Sequence, residues 1–206
     1  VACPACGPEL EFIRDDETLK GNEKALQACV DALANGLIIA DKGVGGYHNM
    51  CDARNDEANN RLRSNKQRPQ KPLAVMFPAP ADKPLAFVTR SLCLARDQAD
   101  LLLSPARPIV LVNRQADSGI SAAVAPGLDE IGVMLPYSPL HHLLLNDFGH
   151  PLVATSGNIS GEPVLTDNSS VMQRLGNVVD AYLHHNRPIA RPADDPVYRF
   201  INDRPR

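Results

Sequence analysis

The chain has 206 residues, 44% of them hydrophobic and 22% charged, with a formal net charge of -3. That balance excludes disordered and fibrous classes and leaves a folded, soluble protein with one main domain. No apolar run reaches the roughly 20 residues of a membrane span, and no signal peptide opens the chain. A cytoplasmic protein with no membrane partner is therefore expected.

The chain opens on Val1 and ends on RPR, which reads as a segment cut from a longer polypeptide. Five cysteines, three of them isolated, argue against a disulfide framework. Only Cys3 and Cys6, in CPAC, have chemical spacing. They read either as half of a zinc knuckle, whose partner thiolates would lie upstream, or as two solvent-exposed thiols. A redox CxxC is disfavoured, because no strand precedes it and Gly7-Pro8 does not continue a helix.

After a charged connector at 14–17, Leu26, Val30 and Leu33 share one face of a helix expected over Glu23–Asn35, with Gly36 as its stop. Leu37–Ala40 is a short apolar strand. A polar helix is expected over Asp52–Ser64, a strand over Leu73–Phe77, a helix over Ser91–Leu103 and a strand over Ile109–Val112. Ser138 and Pro139 form an N-cap and first-turn pair for the next helix. Strand Pro151–Thr155, helix Ser169–Leu175 and strand Ala181–His184 complete the chain. Strands alternating with helices predict an α/β fold, and prolines at 78, 80, 84, 126 and 136 predict a mixed sheet with irregular connections.

Two glycine-rich segments follow strands. Lys42–His48 (KGVGGYH) lacks both the dinucleotide fingerprint and the Walker ending. Its glycines can still bring backbone N–H groups close to an anion, or can simply make a turn. Thr155–Pro163 (TSGNISGEP) offers hydroxyl and amide groups at Ser156, Asn158 and Ser160, as a ligand loop or an ordinary turn.

The densest charge lies in RLRSNKQRPQK, with Arg61, Arg63, Lys66, Arg68 and Lys71 and no acid. Pro69 and Pro72 restrain it, and on an extended backbone Lys66 and Arg68 point the same way. The run is either a preorganised phosphate clasp or solvated surface. On a mildly acidic chain without Trp it favours a small anion over a long polyanion, although an RNA-binding module would use the same charges. The histidine pairs 141-142 and 184-185 do not make two-ligand metal sites, since neighbouring residues point apart, and they read as structural. No nucleophile arrangement is recognisable, so positioning and charge neutralisation are the expected chemistry.

The motifs KxRPxxKP and SGNxSGxP, with the glycine-rich loop before Cys51-Asp52-Ala53, resemble the YrdC-like family, which binds ATP and forms carbamoyl-type adenylates. Its Lys-x-Arg and Ser-x-Asn hallmarks match Lys66, Arg68, Ser156 and Asn158. KGVGGYHNMCDARN, RPQKPLAVM, APGLDEIGVMLPYSPLHHLLL and HNRPIARPADDPVYR are more specifically similar to the YrdC-like domain of the HypF carbamoyltransferases, which mature nickel-iron hydrogenases. VACPACGP resembles the end of their zinc-finger region.

The resemblance implies a remnant of that region over residues 1–15 and a YrdC-like domain over 16–206: a twisted mixed sheet with flanking helices and an open concave ligand face. It implies formation of carbamoyl adenylate from ATP and carbamate derived from carbamoyl phosphate, with Mg²⁺, and Zn²⁺ in the intact protein. Lys66 and Arg68 would neutralise charge. Lys71, Thr155, Ser156, Asn158 and Ser160 would bind nucleotide, Lys42, Gly45 and Gly46 would line the acyl end, and Arg187 and Arg191 would be second-tier phosphate contacts. Implied partners are adjoining acylphosphatase-like and transferase domains and the acceptor HypE; double-stranded RNA binding is a family-level possibility. The related threonylcarbamoyl-adenylate synthases of tRNA modification are the alternative. Pro196 stands where these carbamoyltransferases usually have serine.

Overall fold

The computed structural model describes residues 6–158, 162–202 and 204–206. Chain reversal at Asp15, in the left-handed region with φ 52°, joins β1 (Leu10–Arg14) to β2 (Glu17–Lys20). A hairpin therefore occupies the expected charged connector, because Asp tolerates the left-handed turn that the reversal needs. β1 also pairs with β10 (Ala181–His185), so the main sheet reaches into the segment expected as a zinc-finger remnant. Cys3 and Ser160 lie outside the described residues.

Helix α1 (Asn22–Ala34) buries Leu26, Val30 and Leu33 as their spacing predicts. Strand β3 (Ile39–Lys42) is followed by β4 (Tyr47–Asp52), all of whose residues are buried. The sequence reading instead started a helix at Asp52. β4 begins with Tyr47, His48 and Asn49, polar or amphipathic side chains that the fold buries on both faces of the sheet, so its apolar periodicity is weak. Helix α2 starts later, at Asp56, and runs to Asn65, with the Asn55 side chain accepting from the Ala58 N–H at its N-cap.

Beyond β5 (Ala74–Met76), the helix expected over 91–103 is two: α3 (Ala86–Ser91) and α4 (Arg96–Leu103), separated by the two-residue β6 (Leu92–Cys93). Leu92 leaves helical geometry because β6 pairs with β7 (Ile109–Arg114). β8 (Glu130–Met134), α5 (Pro139–Phe148), β9 (Leu152–Ser156) and α6 (Asn168–Leu175) follow. Two-residue strands β11 (Val197–Tyr198), β12 (Phe200–Ile201) and β13 (Arg204–Pro205) close the chain.

The sheet order is β11-β7-β8-β5-β9-β4-β3-β10-β1-β2, mixed as expected. β10 with β3, β5 with β8 and β11 with β7 are parallel, and the other pairings are antiparallel. One face packs Ala40, Tyr47, Val75, Val133 and Val153 with residues of α2 and α6. The other packs Ile39, Met50, Met76 and Ala154 with α1 and α5. Among the described residues no helix is long and apolar enough to cross a membrane.

Candidate functional site

The basic run does not form the extended segment expected of it. Lys66 is the C-cap of α2, with φ −82° and ψ −2°, and Gln67 turns left-handed with φ 50°. Helix end and turn together aim Lys66 and Arg68 at the C-terminal end of β9. Lys66, only 6% exposed, donates from Nζ to the Ser156 carbonyl at 2.5 Å and the Asn158 carbonyl at 3.1 Å. Arg68 donates to Thr155 Oγ1 at 3.0 Å and the Pro72 carbonyl at 3.2 Å, while its buried Nε has no hydrogen-bond partner among the described residues.

The loop after β9 is built to receive these cations. Gly157 lies against Tyr47 so closely that a Cβ there would come within 2.5 Å of Tyr47 Cβ. Its N–H donates to the Tyr47 carbonyl, and its carbonyl accepts from the Leu165 N–H at 3.1 Å. Ser156 Oγ donates to Asn158 Oδ1 at 2.8 Å, and Asn158 Nδ2 donates to the Glu162 carbonyl at 2.5 Å. A cleft of about 290 Å³, near the lower end for small-molecule sites, is lined by Lys66, Arg68, Lys71, Ser156 and Asn158 with Gln67, Pro69 and Gln70. None of these side chains is a carboxylate.

Burial, with repulsion from Arg68 and Lys71, lowers the Lys66 ammonium to about 8. Arg68 is lowered too, first by burial and then by Arg63, but a guanidinium stays charged. The site thus stores positive charge that an incoming anion would relieve.

Arg63, which the sequence reading did not single out, organises this corner. Buried in the last turn of α2, it donates to the carbonyls of Ala123, Val124, Arg68 and Pro69. Its place in the charge cluster hides this role, since only the fold brings residues 123 and 124 alongside. Replacing Arg63 with Ala strands these carbonyls, and a stability loss of about 2–4 kcal/mol in urea unfolding is expected. A loss under about 0.5 kcal/mol would show that the clamp is unnecessary.

The other expected site residues are dispersed. Lys42 Nζ donates to Asn168 Oδ1 at 2.7 Å and the His185 carbonyl at 3.2 Å, away from the Lys66 cleft. Tyr47 OH lies 2.8 Å from that same Asn168 oxygen. Gly45 and Gly46 are pressed against other segments: a Cβ on Gly45 would come within 2.7 Å of the Ala193 carbonyl oxygen, and one on Gly46 within 2.8 Å of Val164. Gly46 nevertheless borders a small chamber of about 30 Å³ with His48, Tyr137, Ser156 and Asp195, which places Ser156 between chamber and cleft. Arg187 donates to the Cys6 carbonyl, and Arg191 is exposed. Neither borders the cleft. Cys6 is a solvent-exposed thiol.

Comparison with known proteins adds context to this geometry. The Sua5/YciO/YrdC family model, described as "Telomere recombination", matches residues 31–206. The chain is 44% identical to carbamoyltransferase HypF of Rhodobacter capsulatus over 199 residues, 97% of this chain and 26% of that protein. It superposes with a TM-score of 0.86 and 38% identity on a crystal structure of full-length HypF in the phosphate- and nucleotide-bound form, covering 97% of this chain and 25% of that one. It is also 31% identical to threonylcarbamoyl-AMP synthase of Vibrio cholerae over 154 residues, 75% of this chain and 81% of that protein. The chain thus spans about a quarter of the length of the carbamoyltransferase relatives.

Proposed function

We propose, from the premise that the chain belongs to the Sua5/YciO/YrdC family, that it is the adenylate-forming domain of a HypF-type carbamoyltransferase acting in hydrogenase maturation. The observation that carries this reading is the convergence of Lys66, Arg68 and Lys71 on one cleft without a lining carboxylate. Such a site suits a polyanion the size of a nucleotide phosphate chain. A full-length relative with phosphate and nucleotide bound supports the same choice.

In the reaction, a carbamate oxygen attacks the α-phosphorus of ATP. The bond to the bridging oxygen of the β-phosphate breaks, pyrophosphate leaves, and carbamoyl adenylate remains. No protein nucleophile takes part. Lys66 and Arg68 neutralise charge on the phosphates as it shifts toward the leaving group. Ser156 and Asn158, already hydrogen-bonded to each other and anchored on Lys66, orient the adenylate. Carbamate would come from an acylphosphatase-like domain, and a transferase domain would pass the carbamoyl group to HypE.

Mg²⁺ finds no carboxylate among the residues lining the cleft. These residues do not fit a resident Mg²⁺ site. A zinc knuckle at Cys3 and Cys6 would need two further ligands.

The 31% identity to threonylcarbamoyl-AMP synthase over 81% of that protein sustains a second reading, in which the acyl group carries threonine. Pyrophosphate release measured with MgATP and ammonium carbamate, against bicarbonate plus L-threonine, separates the two. Carbamate-dependent, threonine-indifferent release is expected. Threonine-dependent release would transfer the assignment to the synthase reading. Nucleic-acid binding that weakens steeply with salt, without pyrophosphate release, would favour an RNA-binding module.

A further inference from the structure

We propose that Asp41, His48 and His141 form a binding site for a first-row divalent cation, with zinc the best suited, behind the small chamber beside Ser156. Asp41 and His48 are directly opposite each other in the β3–β4 pairing, so their side chains share one face of the sheet. α5 packs on that face and brings in His141, the third residue of the helix, whose N–H is held by the Ser138 cap. The three are 0%, 5% and 0% exposed. One donor atom from each lies within 4.8 Å of the other two.

Two observations point to a ligand instead of a hydrogen-bonded core. First, both oxygens of Asp41, both ring nitrogens of His141 and Nδ1 of His48 are buried without hydrogen-bond partners among the described residues. A carboxylate and two imidazoles left so are costly, and a shared cation removes the cost for all three. His141 Nε2 lies 3.2 Å from Asp41 Oδ2 without hydrogen-bond alignment. Donors placed about 2.0–2.1 Å from a tetrahedral zinc stand roughly 3.3 Å apart, close to this separation, and the third donor lies within 4.8 Å of both.

Second, the remaining nitrogen of His48 is already oriented. Nε2 lies 3.0 Å from Asp195 Oδ2 and 3.4 Å from the Tyr137 hydroxyl. A carboxylate on the outer nitrogen of a histidine is the usual support of a metal-bound imidazole. With Nε2–H donating to Asp195, Nδ1 carries the lone pair. Tyr137 also packs edge-on against His141, ring centroids 4.8 Å apart, and walls the cluster.

Two nitrogens and one carboxylate oxygen select zinc or ferrous iron over calcium or magnesium, which prefer oxygen-rich shells. A bound cation would cross-link β3, β4 and α5 and, through His48, hold the Asp195 segment over the chamber. This inference does not depend on the adenylate-forming reading.

The test uses the protein with Cys3 and Cys6 replaced by Ser, refolded with cobalt(II) as a spectroscopic probe. Uptake of one equivalent is expected, with visible d–d absorption, no near-ultraviolet thiolate charge-transfer band, and displacement by zinc. Asp41→Asn and His141→Gln are expected to weaken uptake at least 100-fold, and Asp195→Asn about 10- to 100-fold, as for an outer support. Absence of stoichiometric uptake by the parent protein would overturn the proposal without reference to any variant. So would a thiolate band, or uptake unchanged in Asp41→Asn.

Discussion

Lys66→Ala is expected to lower carbamate-dependent pyrophosphate release by about 10²- to 10³-fold, the usual cost of removing one preorganised charge donor. The residue is buried, is anchored on the Ser156 and Asn158 carbonyls of the loop after β9, and is repelled by Arg68 and Lys71. An effect under about threefold would remove Lys66 from the site, since exposed surface charges contribute little.

The same residue predicts a pH profile. With the ammonium lowered to about 8 by burial and by Arg68 and Lys71, the free protein loses its charge as pH rises through that value. The ratio kcat/KM is expected to fall above about pH 8, whereas bound triphosphate raises the ammonium again and moves the fall in kcat to higher pH. Stability runs the other way. The folded pKa is below the ordinary lysine value of about 10.4, so the unfolded chain binds more protons between about 8 and 10.4. The penalty for burying the charge is full below about pH 8 and is relieved above it. Lys66→Met is expected to flatten that rise, and an unchanged stability profile would show that the ammonium is solvated.

Gly157→Ala is expected to disable the site without touching a charged group. Its new Cβ would come within 2.5 Å of Tyr47 Cβ and 2.7 Å of the Tyr47 carbonyl oxygen. Tyr47 cannot easily yield, because its hydroxyl is within hydrogen-bonding distance of both Asn168 and His184. Relief must come from the loop, which carries the carbonyls that hold Lys66. A stability loss of about 1–3 kcal/mol is expected, together with at least a 10-fold loss of nucleotide affinity by calorimetry. Retained affinity would mean that the loop adapts elsewhere and that its close packing is dispensable.

The elements legible in the sequence are those whose residues carry their own periodicity or caps. α1 shows its buried stripe, and Ser138-Pro139 marks the start of α5. β9 shows an apolar run before its glycine turn. β4 and β6 were not legible, because their strand geometry comes from partners distant in the chain: β9 and β3 for β4, and β7 for β6. The β1–β2 hairpin was hidden by four charged residues at its turn.

The candidate site divides in the same way. From residue type and spacing Lys66, Arg68, Ser156 and Asn158 read either as a phosphate site or as solvated surface and an ordinary turn, and the family resemblance of their motifs singled them out. Their convergence was decided by the left-handed turn at Gln67 and by the Arg63 clamp on residues 123 and 124. Separation was decided there too: Lys42 is drawn to Asn168, and Arg187 to Cys6. Asp41 does not stand out in the sequence and the 141-142 histidine pair reads there as structural, because β3, β4 and α5 must first assemble before the donor atoms of Asp41, His48 and His141 meet. The sequence by itself determined the mixed α/β plan and the cationic character of the cleft, which are properties of local order, and its motifs carried the resemblance to the family. Only the tertiary structure decided which charges face one another, because burial and hydrogen bonding across many residues, not spacing along the chain, set those distances.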